Sequence, residues 1–275
     1  MSIRELTKEQ QSKPYSKYYY DSITPPNNEL IEILAKGPMD PSKALLPENI
    51  NDLLNPGYFD VETGYCNLEN GAGYVTVLNK MPGVTIDMVN WWFAWHGLED
   101  LRYMLWFNKG HFGVSVSEED RRTILDPNTS MVEKFQGITH HVIENTGMGN
   151  ENILINFLNP EDFGFDMERF YSPNVGTLVA ANGLSSMVGA PEDTPKIPAI
   201  MCHFVREIDG GVEFRTRFWM GYRIIDKKPV KLLPPGIKVP IEAIKGLANH
   251  AVEEYTHLAS FLPKIYKEQK DKPFI

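Results

Sequence analysis

Residues 239–267 read VPIEAIKGLANHAVEEYTHLASFLPKIYK, and their periodicity frames the rest of the chain. Ile244, Leu247, Ala248, Ala251, Tyr255, Leu258 and Leu262 fall at the i, i+3, i+4, i+7 spacing of one helical face, which predicts a long amphipathic helix. At about 100° per residue, His250 and Glu254 lie one turn apart at the edge of that face. The competing pair, Glu253 and His257, turns further toward solvent. An imidazole and a carboxylate at this spacing, with Cβ atoms about 5–6 Å apart, can put a nitrogen and an oxygen on one divalent ion. The same spacing is also common on solvated helices, so a metal site needs further ligands from elsewhere.

Upstream of this helix the period changes to two. Residues 199–207 (AIMCHFVRE) and 211–225 (GVEFRTRFWMGYRII) alternate as strands joined by a turn at Asp209-Gly210-Gly211, a hairpin signal. Residues 137–144, 153–157 and 177–181 read as strands by β-branched content, and residues 65–78 as one more. Residues 182–198, rich in Gly, Ser and Pro, are expected to form a long loop, a candidate pocket lid. Helices are expected at residues 28–36, 41–54 and 85–96, the last capped by Thr85, and at 98–107 before the stop at Asn108-Lys109-Gly110. His111 then enters a loop, and Pro-rich residues 227–240 lead into the final helix. Residues 1–28 look like an arm whose Tyr18, Tyr19 and Tyr20 pack either locally or on another subunit. Helices, then antiparallel strands, then one long helix make an α+β domain whose curved sheet wraps the terminal helix.

The 275 residues suffice for one large domain or a core with an appendage, and 42% apolar residues can fill it. A net charge of −9 without a basic cluster argues against nucleic acid. Cys66 and Cys202 form no CxxC, so neither a disulfide framework nor a thiolate metal site is expected. The N-terminal sequence lacks the apolar core of a signal peptide, and no window of about 18 apolar residues follows, so no membrane partner and a cytoplasmic location are expected.

Seven histidines allow each to be weighed. Glu144 ends an apolar strand on the face of Ile138, His140 and Val142; a metal would keep it ionised there, and solvation past the sheet rim is the alternative. His140 rivals it on that face, His111 can turn inward from its corner, and His203 reads as a core histidine. Four of the five tryptophans fall between residues 91 and 106, so that segment is buried or lines a pocket.

The blocks Trp91-Trp92-Phe93-Ala94-Trp95-His96, Asp100-Leu101-Arg102-Tyr103-Met104-Leu105-Trp106, Gly110-His111, His141-Val142-Ile143-Glu144, Arg215-Thr216-Arg217-Phe218-Trp219-Met220-Gly221 and His250-Ala251-Val252-Glu253-Glu254 resemble, in order, the 2,4-diacetylphloroglucinol hydrolase and phloretin hydrolase family. The resemblance spans roughly residues 80–260. It implies a Bet v1-like helix-grip domain over residues 85–275 and a smaller, mainly helical N-terminal domain over residues 1–84 that makes homodimer contacts. It implies a catalytic zinc on His111, Glu144, His250 and Glu254, with Tyr103 holding the substrate and His203 and Tyr222 as further pocket residues. The family's pocket asparagine after His111 is missing, replaced by Phe112-Gly113-Val114. The reaction implied is hydrolysis of the carbon–carbon bond between an acyl group and a polyphenol ring, the partner being a small aromatic polyphenol ketone. Zinc then acts as Lewis acid on substrate oxygens or activates a water. A helix-grip module that binds flavonoid-like compounds unchanged is the competing reading.

Overall fold

The computed structural model describes residues 4–172 and 174–274. Three short helices lead, α1 (Lys8–Ser12), α2 (Lys17–Tyr20) and α3 (Asn28–Ala35), followed by 3₁₀ turns at Pro41–Lys43 and Pro47–Leu54. Strands β1 (Gly64–Asn67) and β2 (Gly73–Pro82) precede α4 (Ile86–Trp95) and α5 (Asp100–Trp106). Then come β3 (His111–Ser115), α6 (Glu118–Leu125), β4 (Thr139–Asn145), β5 (Asn150–Leu158), α7 (Pro160–Phe163) and α8 (Met167–Phe170). The chain continues through β6 (Thr177–Met187), β7 (Ile197–Ile208), β8 (Gly211–Met220), β9 (Tyr222–Ile225) and β10 (Lys228–Lys231) to α9 (Ile241–Gln269).

Eight of these strands form one antiparallel sheet in the order β1-β2-β8-β7-β6-β5-β4-β3, and β9 and β10 pair as a separate hairpin. The expected α+β architecture, a large antiparallel sheet with a long C-terminal helix, is what the chain adopts. Alternation along β8 explains how the sheet separates two interiors. Phe214 and Phe218 face the core shared with α9, while Trp219 faces a second core with Cys66, Phe163 and Leu45. Ile244, Ala248, Ala251, Tyr255, Leu258 and Leu262 of α9 are all buried. The boundary expected at residue 84 falls in the turn between β2 and α4; β1 and β2 lie before it and pair into the common sheet.

Several expectations are corrected. Residues 182–187 continue β6 instead of starting a loop, because both edges are hydrogen-bonded: Glu151 pairs with Met187 on one side and Ser185 with Ile197 on the other. Two-sided pairing overrides the low strand preference of Asn182-Gly183. Residues 65–78 are two strands, since Leu68 N–H to Ala72 O closes a turn between β1 and β2. Pro47–Leu54 is 3₁₀, with Asn49 departing from helical angles inside it. Of the two arrangements open for the N-terminal arm, local packing is the one adopted: Leu6, Tyr15, Tyr18 and Tyr19 are buried in the core that holds α4 and α9, while Tyr20 is exposed. The first three residues of that segment lie outside the described residues. His257 is buried too, because the backbone N–H of Thr24 covers it and donates to Nδ1 at 3.1 Å.

Candidate metal centre

Three elements, β3, β4 and α9, bring His111, Glu144, His250 and Glu254 near one another. His111 opens β3, not a loop, and in the register of β3 and β4 it stands opposite Glu144. On β4 the alternation buries His140, Val142 and Glu144 and turns His141 and Ile143 outward. From the other side, α9 presents His250 and Glu254 one turn apart. Gly110 permits this approach: a Cβ there would stand 2.7 Å from the Phe107 ring and 3.1 Å from His250 Cε1.

His111 Nε2 lies 3.3 Å from His250 Nε2, 3.5 Å from Glu254 Oε2 and 3.9 Å from Glu144 Oε2, and His250 Nε2 lies 3.7 Å from Glu254 Oε2. His111, His250 and Glu254 each offer one ligand atom, all within 4.8 Å of one another. The Tyr103 ring stacks on His111 with centroids 4.2 Å apart, and its hydroxyl donates to Glu144 Oε2. The backbone carbonyl of Tyr103 lies 3.3 Å from His111 Nδ1 and can only accept, which leaves the Nε2 lone pair facing the cluster. Trp106 Nε1 donates to the backbone carbonyl of Glu254 at 3.2 Å.

Burial governs the charges. It pushes Glu144 up to about 7, against the pull of the Tyr103 hydrogen bond, and lifts Glu254 well above the usual carboxylate range, with Glu144 adding to the effect. Burial also pushes His250 down to about 4 and His111 well below the usual imidazole range, His250 adding to the latter. Two neutral imidazoles therefore sit beside two carboxylates, and among the described residues no Lys or Arg pairs with either carboxylate. A divalent cation resolves this arrangement. Two nitrogens and two carboxylates are a suitable donor set for zinc, and ligand bonds of about 2.0–2.2 Å in tetrahedral geometry separate ligand atoms by roughly 3.3–3.6 Å. The spacings of 3.3–3.7 Å among His111, His250 and Glu254 are near that shell, while Glu144 Oε2, 3.9 Å from His111 Nε2, lies outside this group of three.

The cluster borders two joined chambers between the sheet and α9. The inner one, about 60 Å³, is lined by Phe93, Tyr103, Trp106, His203 and Tyr255 together with Glu144, His250 and Glu254. The outer one, about 260 Å³, is lined by Ile153, Leu184, Ile197, Ala199, Met220 and Leu233. Glu144, Ile155, Met201, Phe218 and Leu247 border both. A larger groove of about 740 Å³ crosses the opposite face of the sheet past His141 and Ile143, and none of the four ligand candidates lines it.

His203 lies in the inner chamber, its Nδ1 2.9 Å from Thr216 Oγ1, and burial pushes it down to about 3. Tyr222 is a correction. Gly221, at φ 97°, turns the chain out of β8, and Tyr222 packs in the second core, where its hydroxyl accepts from Asn70 Nδ2 at 2.7 Å. It lines neither chamber. Sequence reasoning passed over Tyr255, whose hydroxyl is fully buried and without a protein partner among the described residues. Its place on the apolar face of α9 made it look like core, although a tyrosine one step from Glu254 on that face was the available signal.

A family model described as the DAPG hydrolase PhiG domain matches residues 45–267. The chain is 34% identical over 270 residues to a phloretin hydrolase of Eubacterium ramulus, covering 97% of this chain and 94% of that protein. It is 30% identical over 274 residues to 2,4-diacetylphloroglucinol hydrolases of a Pseudomonas sp and of Pseudomonas protegens, covering 94% of this chain and 88% and 85% of those proteins.

Proposed function

This chain belongs to the DAPG hydrolase family, and from that membership we propose that it is a zinc-dependent hydrolase of the carbon–carbon bond joining an acyl group to a phloroglucinol-type ring. The relatives are named for phloretin and 2,4-diacetylphloroglucinol, which are both acylated phloroglucinols. The observation that carries the reading is the meeting of His111, His250 and Glu254, with Glu144 3.9 Å from His111, beside a largely apolar cavity.

Those four residues would hold the zinc, which when bound supplies Lewis acidity toward oxygen atoms of the substrate and of water. The chain's own groups do the rest. Tyr103, with its hydroxyl beside Glu144, orients a ring hydroxyl. His203 is held neutral by burial and steadied by Thr216, so it serves as a hydrogen-bond partner that passes a proton to or from the ring. The chemistry needs a stabilised leaving carbon. When a ring hydroxyl shifts to its keto form the substrate becomes a β-diketone, and the departing electron pair is delocalised as an enolate. Water's oxygen ends on the acyl carbon and a proton on the ring carbon, giving a carboxylic acid and the deacylated ring.

The proposal includes a Bet v1-like helix-grip core in which the sheet holds α9, a homodimer with contacts from residues 1–84, and a cytoplasmic location. No helix of the described residues is long and apolar enough to cross a membrane. The test is direct: purify the protein without added metal, count zinc per chain, and chromatograph products from phloretin and from mono- and diacetylphloroglucinol. One zinc per chain with release of the acid and the ring is expected. Metal-free protein that returns every ketone unchanged would make it a binding module.

A further inference from the structure

Tyr103 and His203, which address hydroxyls of the ring, line the inner chamber, and at about 60 Å³ it admits that edge of the ring but no acyl substituent beside it. The acyl group is left with the outer chamber, about 260 Å³, whereas a cavity of roughly 150 Å³ holds a whole benzene ring. An acetyl group would leave most of that space empty. Small residues keep the floor of the chamber low: Gly183 of β6 pairs with Ala199 of β7, and both line it. Glycine inside a strand weakens it. At Gly183 neither a left-handed φ nor crowding demands it, since an added Cβ would meet nothing closer than the Ala199 carbonyl oxygen at 3.4 Å. Close approach of a ligand is the reason that remains.

Polar groups in the outer chamber are few: Glu144 on the seam, the exposed Lys238, and a cluster of Glu151, Ser185 and Thr146. Glu151 is the partner of Glu144 across β4 and β5, and it is half-buried, so its carboxylate is accessible from the chamber. Ser185 Oγ donates to Glu151 Oε1, and Thr146 Oγ1 donates to Oε2 at 2.8 Å. Both hydroxyl protons are thereby used, and what the cluster offers a ligand is acceptor capacity. An ionised carboxylate has about four acceptor sites and no donor, so two are still free. A ligand that completes this cluster must bring a hydrogen-bond donor.

We propose that the outer chamber is the acyl subsite and that Glu151 reads a hydroxyl there. The substrate class is then a phloroglucinol-type ketone whose acyl group is larger than acetyl and carries a hydroxyl, such as a phenol, beyond its carbonyl. The inference rests on the hydrolase reading and names the substrate of that same site. Glu151 sets specificity: a phenol donating to a carboxylate makes a charge-assisted hydrogen bond, which an acyl group without the hydroxyl forfeits.

A pair of ketones tests this: phloretin, whose acyl group ends in a 4-hydroxyphenyl ring, and the analogue with a phenyl ring in its place. The wild-type protein is expected to favour phloretin at least about tenfold in kcat/KM, and Glu151→Met to bring the two within about twofold of each other. Ala199→Leu, which raises the floor, is expected to lower kcat/KM for phloretin at least about tenfold more than for monoacetylphloroglucinol. Indifference of the wild-type protein to the hydroxyl, a preference that survives Glu151→Met, or equal losses for the long and short ketones in Ala199→Leu overturns the proposal. Should no ketone be cleaved, the hydrolase reading fails alone. Dissociation constants of the same ketones, measured by calorimetry on the same three proteins, then decide the subsite by the same ratios.

Discussion

Carboxylates pack against both faces of the sheet, and they are treated differently. On the face away from α9, Glu62 meets Arg215 Nη2 and Arg217 Nη2, and Glu213 pairs with Arg206 while accepting from Tyr58 Oη. Burial would push Glu62 up, but Arg217 and Arg215 outweigh it and hold the carboxyl below its ordinary range. On the α9 face, Glu144 and Glu254 meet neutral imidazoles and a phenol, with no Lys or Arg partner among the described residues, and both are raised. A buried carboxylate with its own guanidinium is complete within the fold. One set among imidazole lone pairs has no guanidinium of its own, and a proton or a divalent cation can take that place.

Breaking the second arrangement should have the largest effect. His250→Ala or Glu254→Ala is expected to abolish stoichiometric metal and lower turnover roughly a thousandfold or more, with circular dichroism unchanged, because each would remove a ligand from the proposed four-ligand shell. Retained metal and activity would erase the contrast. Breaking the first arrangement should leave function and strike stability. Glu62→Ala strands two buried guanidiniums and is expected to cost roughly 3–5 kcal/mol in denaturant unfolding, with metal content unaltered.

The two faces also differ in their legibility. The apolar stripe of α9 and the His250–Glu254 step could be read from local spacing, as could the hairpin of β7 and β8. His111 and Glu144 could not be joined to them by spacing, since the register of β3 against β4 brings them together across some thirty residues of chain; the family resemblance supplied them. Glu62 gave no local signal at all, because its partners Arg215 and Arg217 lie on a distant strand and merely alternate there. β6 was misjudged for the same reason: Gly183 looks like loop in isolation, yet it is held between β5 and β7. Tyr222 failed because one left-handed glycine redirected the chain.

Acidity sharpens the comparison further. In the metal-free protein Glu144 titrates at about 7, so below that pH an incoming cation must displace its proton. Apparent metal affinity should therefore fall as pH drops from 8 to 6, approaching about tenfold per pH unit for each proton displaced. Calorimetric titrations in buffers of different ionisation enthalpy would count the protons. Affinity independent of pH would mean that Glu144 is not a ligand. The smallest effect is expected at the support of the centre: Trp106→Phe removes the hydrogen bond to the Glu254 carbonyl and should cost about 0.5–1.5 kcal/mol of stability while leaving one metal per chain.

On the proposed reading the α9 face of the sheet holds one divalent cation, and anomalous diffraction at the zinc edge, on crystals of protein purified without added metal, would locate it. The expected result is a single peak bonded at about 2.0–2.2 Å by His111, Glu144, His250 and Glu254. A crystal of active protein with no peak among these four side chains, or with the metal held elsewhere, would contradict it.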